Sequence, residues 1–133
     1  MSGEGVISIR LPRSLNVRFK AIAQSQGLDV HDAARRLISR LTSLTADELN
    51  TLKDPPRESD MPRLSLYVGW ESVDSLAEAA YDSALAISTI LRRLLYAVLV
   101  SGQVQFVQVG EHWKLQIVSE IRAEKSVSDP EGN

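Results

Sequence analysis

The stretch Val6-Ile7-Ser8-Ile9-Arg10-Leu11-Pro12 decides the fold, because its apolar residues alternate with other side chains as they do in a β-strand. Isoleucine and leucine would form one face, and Val6, Ser8 and Arg10 would form the other. Pro12 would end the strand, because proline has no N–H to donate to a neighbouring strand. A lone strand leaves its backbone groups unpaired, so a partner strand must come from elsewhere in the chain.

A second stretch, Arg63-Leu64-Ser65-Leu66-Tyr67-Val68-Gly69, shows the same alternation. An offset of 57 residues relates the two copies without a gap, so that Ser8 corresponds to Ser65 and Arg35-Arg36-Leu37 corresponds to Arg92-Arg93-Leu94. A loose match between any two strand–helix–helix segments is the alternative explanation. The ungapped offset favours an internal duplication.

Apolar residues at helical spacing predict two helices after the first strand. Ser14 is a candidate cap for the first helix, and Gly27 would end it. Asp29 is a candidate cap for the second helix, whose apolar stripe continues to Leu44. A short helical turn is predicted over residues 45–52.

The second copy departs from the first at two turns, since Ala84 takes the place of Gly27 and Gly69 takes the place of Pro12. Ser101-Gly102 would close its last helix. The alternation that follows predicts a β-hairpin, which would either extend the core or expose an edge for a partner. The expected organisation is a first repeat over 1–52, a proline-rich linker over 53–62, a second repeat over 63–102, a hairpin over 103–118 and a disordered polar tail over 119–133.

Composition limits the possible classes of protein. The chain has 133 residues, of which 44% are hydrophobic, and this length favours one core shared by two halves. It has no cysteine, which excludes disulfides and thiolate metal sites. It shows no apolar run typical of a signal peptide or a membrane span, so we expect a cytoplasmic protein with no membrane partner.

Charge is unevenly distributed along the chain. The formal net charge is −2, which by itself disfavours a nucleic-acid partner. Residues 1–45 nevertheless contain seven basic and three acidic side chains. A basic face on a neutral or acidic body can still attract an anionic partner.

A short strand ending in proline, followed by two helices with a glycine at their turn, resembles the ribbon-helix-helix family of DNA-binding proteins, of the Arc and MetJ type. The residues that carry the resemblance are Ile7-Ser8-Ile9-Arg10-Leu11-Pro12 and Gly27-Leu28-Asp29-Val30, with a second copy over 63–101. The resemblance implies a mainly α chain with short β-strands. Two ribbon-helix-helix repeats would form a single-chain pseudo-dimer, in which an antiparallel two-stranded ribbon lies over four helices. The C-terminal β-hairpin would be an addition to this unit. In this family the ribbon enters the DNA major groove. The tandem layout is similar to the TraY-like accessory proteins of plasmid conjugation, which bind near the transfer origin and help a relaxase to nick there.

The resemblance also implies roles for particular side chains. Arginine can bond guanine through two atoms, and serine can bond several base edges. The base-contacting positions would be Val6, Ser8, Arg10, Arg63, Ser65 and Tyr67. Helix N-termini bind phosphates through their backbone N–H groups. The phosphate-contacting positions would be Arg13, Arg18, Val30, His31, Ile87 and Ser88. Because Arg10 corresponds to Tyr67 across the repeat, the two DNA half-sites should differ.

Each of these residues also has a plainer interpretation. The paired arginines at 35–36 and 92–93 are explained more simply as solvated faces or as partners in intramolecular ion pairs. Arg10 could be an edge-strand arginine that protects against aggregation. His31 is more readily a surface residue at a helix start than a ligand.

Sequence-specific binding of double-stranded DNA is therefore the leading hypothesis. A relaxosome accessory factor and a transcriptional repressor are its two forms, and the tandem layout favours the first. The alternative is a protein-interaction module that has lost DNA binding. We expect no enzyme, metal or cofactor, because the chain has no phosphate-cradling glycine loop, no paired-histidine motif and no serine nucleophile elbow. A relaxase or another relaxosome protein is a candidate partner, and a second copy on an adjacent DNA site is another.

Overall fold

The computed structural model describes residues 5–118 of the chain. In this range the chain forms five α-helices and two antiparallel two-stranded sheets. The elements are β1 (Val6–Arg10), α1 (Arg13–Ser25), α2 (Val30–Ser39), α3 (Ala46–Thr51), β2 (Arg63–Tyr67), α4 (Trp70–Ser83), α5 (Ile87–Tyr96), β3 (Val104–Val109) and β4 (His112–Ile117). The expectation of a mainly helical chain with short antiparallel strands is confirmed.

The two strands that carry the repeated pattern pair with each other. β1 runs antiparallel to β2, and Ser8 lies opposite Ser65 at the centre of the pair. In both strands the outward residues are exposed and the inward residues are buried. The predicted exposed and buried faces are therefore confirmed. The burial alternates because the helices cover only one face of the two-stranded ribbon.

Hydrogen bonds outside the strands extend this pairing at both ends. The Leu11 N–H donates to the Pro62 carbonyl oxygen at one end, and the Val68 N–H donates to the Gly5 carbonyl oxygen at the other. Gly5 has φ +73°, and a Cβ there would lie 2.3 Å from the carbonyl carbon of Gly69. This close approach of two backbones requires glycine at position 5.

The helices of the first half have local reasons to begin where they do. Asp29 accepts the N–H of Asp32 at 2.8 Å and caps α2 as predicted. Thr45 and Glu48 form a reciprocal capping box at the start of α3, which confirms the short helix after α2.

Two predicted boundaries are wrong. Ser14 does not cap α1, because the helix begins at Arg13 and Pro12 holds the cap position. α2 ends at Ser39 rather than near Leu44, because the backbone of Arg40 leaves the helical region and a 3-10 turn follows over Leu41–Ser43. The predicted end of the last helix at Ser101-Gly102 is confirmed, because a π-helical turn over Ala97–Ser101 continues α5 and Gly102 ends it.

The predicted C-terminal hairpin is confirmed. β3 pairs with β4 in a register that sets Val104 opposite Ile117. Gly110 and Glu111 alone form the turn, and His112 belongs to β4. Val104, Leu115 and Ile117 are buried, so this end of the hairpin extends the core. The predicted polar tail lies outside the described residues.

One hydrophobic core serves both halves of the chain. The largest fully buried side chains include Leu11 and Ile38 of the first half and Leu66, Leu76 and Leu91 of the second. Each such side chain contributes about 1.5–3 kcal/mol by leaving water, so neither half retains its core without the other.

Among the described helices, no single one is both long and apolar enough to cross a membrane; α4 and the segment Ile87–Ser101 meet that measure only as a pair bent by 97°.

Candidate nucleic-acid interface

The outer face of the β1–β2 ribbon presents all six side chains that the sequence predicted there. They are Val6, Ser8, Arg10, Arg63, Ser65 and Tyr67, and all are exposed. The two serine hydroxyls at the centre lie 3.2 Å apart and share a hydrogen bond. Each hydroxyl keeps further capacity to donate or accept, because an O–H carries one donor and two acceptor lone pairs.

The two ends of this face differ in chemistry. Arg10 lies directly opposite Arg63 at one end, and Val6 lies opposite Tyr67 at the other. Arg10 and Tyr67 correspond in the repeat, but the antiparallel register places them at opposite ends of the ribbon. One end is therefore basic, and the other end is apolar and aromatic.

The basic end is an unfavourable arrangement for the protein alone. Like charges directly opposite each other in an antiparallel pair lower stability, by roughly 0.2–1 kcal/mol. Arg10 donates one hydrogen bond, at 3.0 Å, to the carbonyl oxygen of Met61. Within residues 5–118, neither arginine has a carboxylate partner.

The linker is bound to the start of α1 beside this basic end. Arg13 forms an ion pair with Asp60, and both the N–H and the hydroxyl of Ser14 donate to the Glu58 carboxylate. The Ser14 hydroxyl is the main cause that lowers the pKa of Glu58. Arg13, a predicted phosphate contact, therefore already has an anionic partner inside the protein.

His31 joins the aromatic end of the ribbon to the start of α2. Its Nδ1 accepts the Tyr67 N–H at 3.0 Å, and the two rings meet edge to face with centroids 5.3 Å apart. Because Nδ1 accepts, the neutral ring carries its proton on Nε2, which remains a donor. This contact has no signal in the sequence, because His31 and Tyr67 are 36 positions apart and no spacing rule connects them.

The helix N-termini that were predicted to hold phosphates differ in how they are capped. At α2 the Asp29 carboxylate already occupies the Asp32 N–H. At α5 the cap residue is Ala86, which provides no side-chain hydrogen bond to the first amides, at Ile87 and Ser88. The N-terminus of α5 is therefore the more open of the two for an anion.

The remaining predicted arginines have partners in the body of the protein. The Arg18 Nε donates to the Leu99 carbonyl oxygen at 2.7 Å, so it joins α1 to the π-helical turn. Arg35 pairs with Asp32 within α2, and Arg92 and Arg93 both reach Asp54 in the linker. Of the four arginines at 35–36 and 92–93, three therefore form the intramolecular ion pairs that the plainer interpretation predicts.

No group of three or more histidine, aspartate or glutamate side chains within residues 5–118 is placed to hold a metal ion. A wide open cleft of about 1020 Å³ between α2 and α4 is lined by Arg35, Trp70 and Glu71. The side chains of His112 and Trp113 lie outside the described set.

Comparisons of the chain with protein-family models, with curated proteins and with solved structures found no match.

Proposed function

We propose that this chain binds double-stranded DNA sequence-specifically, with the outer face of the β1–β2 ribbon in the major groove. In this proposal the two halves are ribbon-helix-helix repeats, and they form one pseudo-dimer in a single chain. The carrying observation is the exposed ribbon face, on which four outward side chains flank a central serine pair. The major groove admits a two-stranded ribbon and displays a distinct donor and acceptor pattern for each base pair.

The facing pair Arg10 and Arg63 supports this assignment. Two arginines held directly opposite each other on an exposed face destabilise the folded protein as long as no anion binds between them. Base acceptors such as guanine O6 and N7, together with nearby phosphates, would remove the repulsion between them.

The difference between the ribbon ends leads to an asymmetric DNA site. The basic end suits guanine, which offers two acceptors to arginine, and the end with Val6 suits the methyl group of thymine. We expect a selected site with guanine in one half and thymine in the other. A perfect inverted repeat would contradict the ribbon asymmetry.

Selection from a pool of random duplexes, followed by fluorescence anisotropy at two salt concentrations, tests the proposal. Arg10→Ala should weaken binding to the selected site by about 1–3 kcal/mol and relax the preference for guanine. Arg36→Ala removes the same charge from α2, outside the ribbon face, and is the matched control. Equal losses in both variants, or weak binding with no sequence preference, would refute ribbon recognition.

The selected sequence also decides between the two biological roles. We propose an accessory factor of a conjugative relaxosome acting at a transfer origin, because two repeats in one chain match the tandem layout of that group. A site that maps to a promoter would instead favour the transcriptional repressor.

A further inference from the structure

An apolar groove of about 560 Å³ lies between α1, α2 and the end of α5. Ile22, Leu28 and Leu99 are half-buried in its walls, and Phe106 of β3 is 41% exposed at one side. The exposed Arg36 lines the same groove. A continuous apolar surface rimmed by charge is typical of a site that another chain segment covers.

The second half of the molecule shows how the equivalent surface is covered. The 57-residue offset relates the groove walls on α1 and α2 to a surface on α4 and α5, and α3 of the first half packs on the α4 side of that surface. Leu49 and Leu52, at α3 and its C-cap, are each only 3% exposed. They are three positions apart and therefore lie on one side of the helix.

Polar contacts hold α3 on that surface at two points. The Asn50 side chain donates to the Ser83 carbonyl oxygen at 3.0 Å, at the end of α4. Asp54, two residues after Leu52, accepts from Arg93 at 3.3 Å. By the offset, Ser83 corresponds to Gln26 and Arg93 to Arg36, and both of these counterparts line the uncovered groove.

Within residues 5–118 the first half has no helix equivalent to α3, and Phe106, the counterpart of Leu49 by the offset, lines the groove while 41% exposed. The segment that corresponds by offset to α3 is 103–108, and it forms β3 instead of a helix. In this range the carboxylates that pair with Arg35, Arg92 and Arg93 are identified, and Arg36 has none. Over the described part of the chain, the groove therefore has an open apolar floor, and Arg36 in its lining has no carboxylate partner.

We propose that this groove binds a short amphipathic helix of a partner protein, with two leucines three positions apart and a carboxylate two residues later. The leucines would fill the floor between α1 and the end of α5, and the carboxylate would pair with Arg36 as Asp54 pairs with Arg93. This surface is separate from the ribbon and extends the proposed DNA binding to the recruitment of a second protein.

Two other occupants fit the groove less well. A second copy of this chain would have to release α3 from its own buried position before it could offer the same helix. The chain's own residues 119–133 contain Ile121 and Val127 as their large aliphatic residues, six positions apart, which is not the spacing of one helix face.

A fluorescently labelled peptide with the sequence of residues 41–56 is the probe, because it contains the leucine pair and the carboxylate. We expect saturable binding to the full chain, at least tenfold weaker for the Ile22→Glu variant. Val17→Glu makes the same change on an exposed site of α1, where Val17 is 58% exposed, and should bind like the wild type. Circular dichroism and DNA affinity, both unchanged in Ile22→Glu, would separate a groove defect from misfolding and from loss of the ribbon.

A double-mutant cycle tests the charge contact. Asp54→Asn in the peptide and Arg36→Ala in the protein should each weaken binding several-fold, and the two changes together should cost no more than one. Replacing Leu49 and Leu52 of the peptide with alanine should weaken binding at least tenfold.

Several results would overturn the proposal. The first is no saturable binding by the wild type, and the second is equal binding by wild type and Ile22→Glu. The third is a tenfold gain in probe affinity for the full chain with Ile121→Asp, which would assign the groove to the chain's own tail. The fourth is a dimer in sedimentation that the probe dissociates, which would assign the groove to a second copy.

Discussion

The first half of the molecule, residues 5–52, and the second half, residues 63–118, contain the same strand and helix pair but support them differently. β1 and β2 have the same length and burial pattern, and the bounds of α2 and α5 correspond at the 57-residue offset. After the second helix, the first half continues into α3, which covers α4, whereas the second half continues into the β3–β4 hairpin. The shared positions are those that build the common core, and the positions that differ determine which surfaces remain open.

The largest expected difference between the halves is the loss in free energy of unfolding when Leu49 of α3 or its counterpart Phe106 of β3 is replaced with alanine. Leu49→Ala removes a side chain that is 3% exposed and should lower the free energy of unfolding by about 2–5 kcal/mol. Phe106→Ala removes a larger side chain at the edge of the open groove, yet it should cost under about 1 kcal/mol, because Phe106 is 41% exposed. Urea unfolding of both variants measures this contrast, and equal losses would mean that the groove is already covered.

The ribbon ends provide the next test, in which stability and binding should change in opposite directions. Arg63→Gln removes the charge facing Arg10, so the free energy of unfolding should rise by about 0.2–1 kcal/mol. The same change should weaken binding to the selected DNA site by about 1–3 kcal/mol. Thermal unfolding measures the stability and anisotropy measures the DNA affinity. If Arg63→Gln lowers both quantities or changes neither, the argument from charge repulsion is refuted.

Substitutions at the two inter-helix turns should change the free energy of unfolding by a smaller amount, in opposite directions at the two turns. Gly27 has φ +73°, and its counterpart Ala84 has φ +64°, a conformation that costs an alanine free energy. Gly27→Ala should therefore lower stability by about 1 kcal/mol, and Ala84→Gly should raise it by about 0.5–1 kcal/mol. Since a Cβ at Gly27 would meet no atom within 4 Å, any loss there comes from the backbone and not from a clash.

The smallest expected effect concerns the starts of α1 and α4. α4 has Glu71 in its own first turn, whereas α1 has no acid there and receives Glu58 from the linker. Because the folded state lowers the pKa of Glu58, this contact stabilises the protein above the ordinary carboxyl pKa and is lost as the pH falls through the lowered value. Melting temperatures of wild type and Glu58→Gln should differ at neutral pH and converge on acidification. A constant difference across that range would show that protonation of Glu58 is not involved.

The ribbon could be predicted from the sequence because its information is local. Alternation in β1 and β2 gives the buried and exposed faces directly, and the offset identifies Ser8 and Ser65 as counterparts. The caps at Asp29 and Thr45 are equally local, since each side chain bonds an amide three residues along its own helix.

What the sequence did not predict depends on how distant segments meet. The sequence predicts that α2 continues to Leu44, because Leu41 and Leu44 keep the apolar period. In the structure Leu41 is buried within a 3-10 turn, and Leu44 is buried as the extended residue that follows it. Neither the contact of His31 with Tyr67 nor that of Glu58 with Ser14 has a signal in spacing. The groove cannot be predicted from the sequence, because the pattern of a short helix identifies its apolar side but not the surface on which that side packs.

The pairing of β1 with β2 within one chain has a consequence for how the protein responds to dilution. A ribbon shared by two separate chains falls apart as the protein becomes scarce, since its assembly follows mass action. Here each strand is tethered to its only partner, so the ribbon forms in a unimolecular step and its stability is independent of copy number. Ribbons built from two copies of β1 or two copies of β2 do not arise from a single molecule. A few molecules per cell would each have a complete ribbon, with the same end always basic.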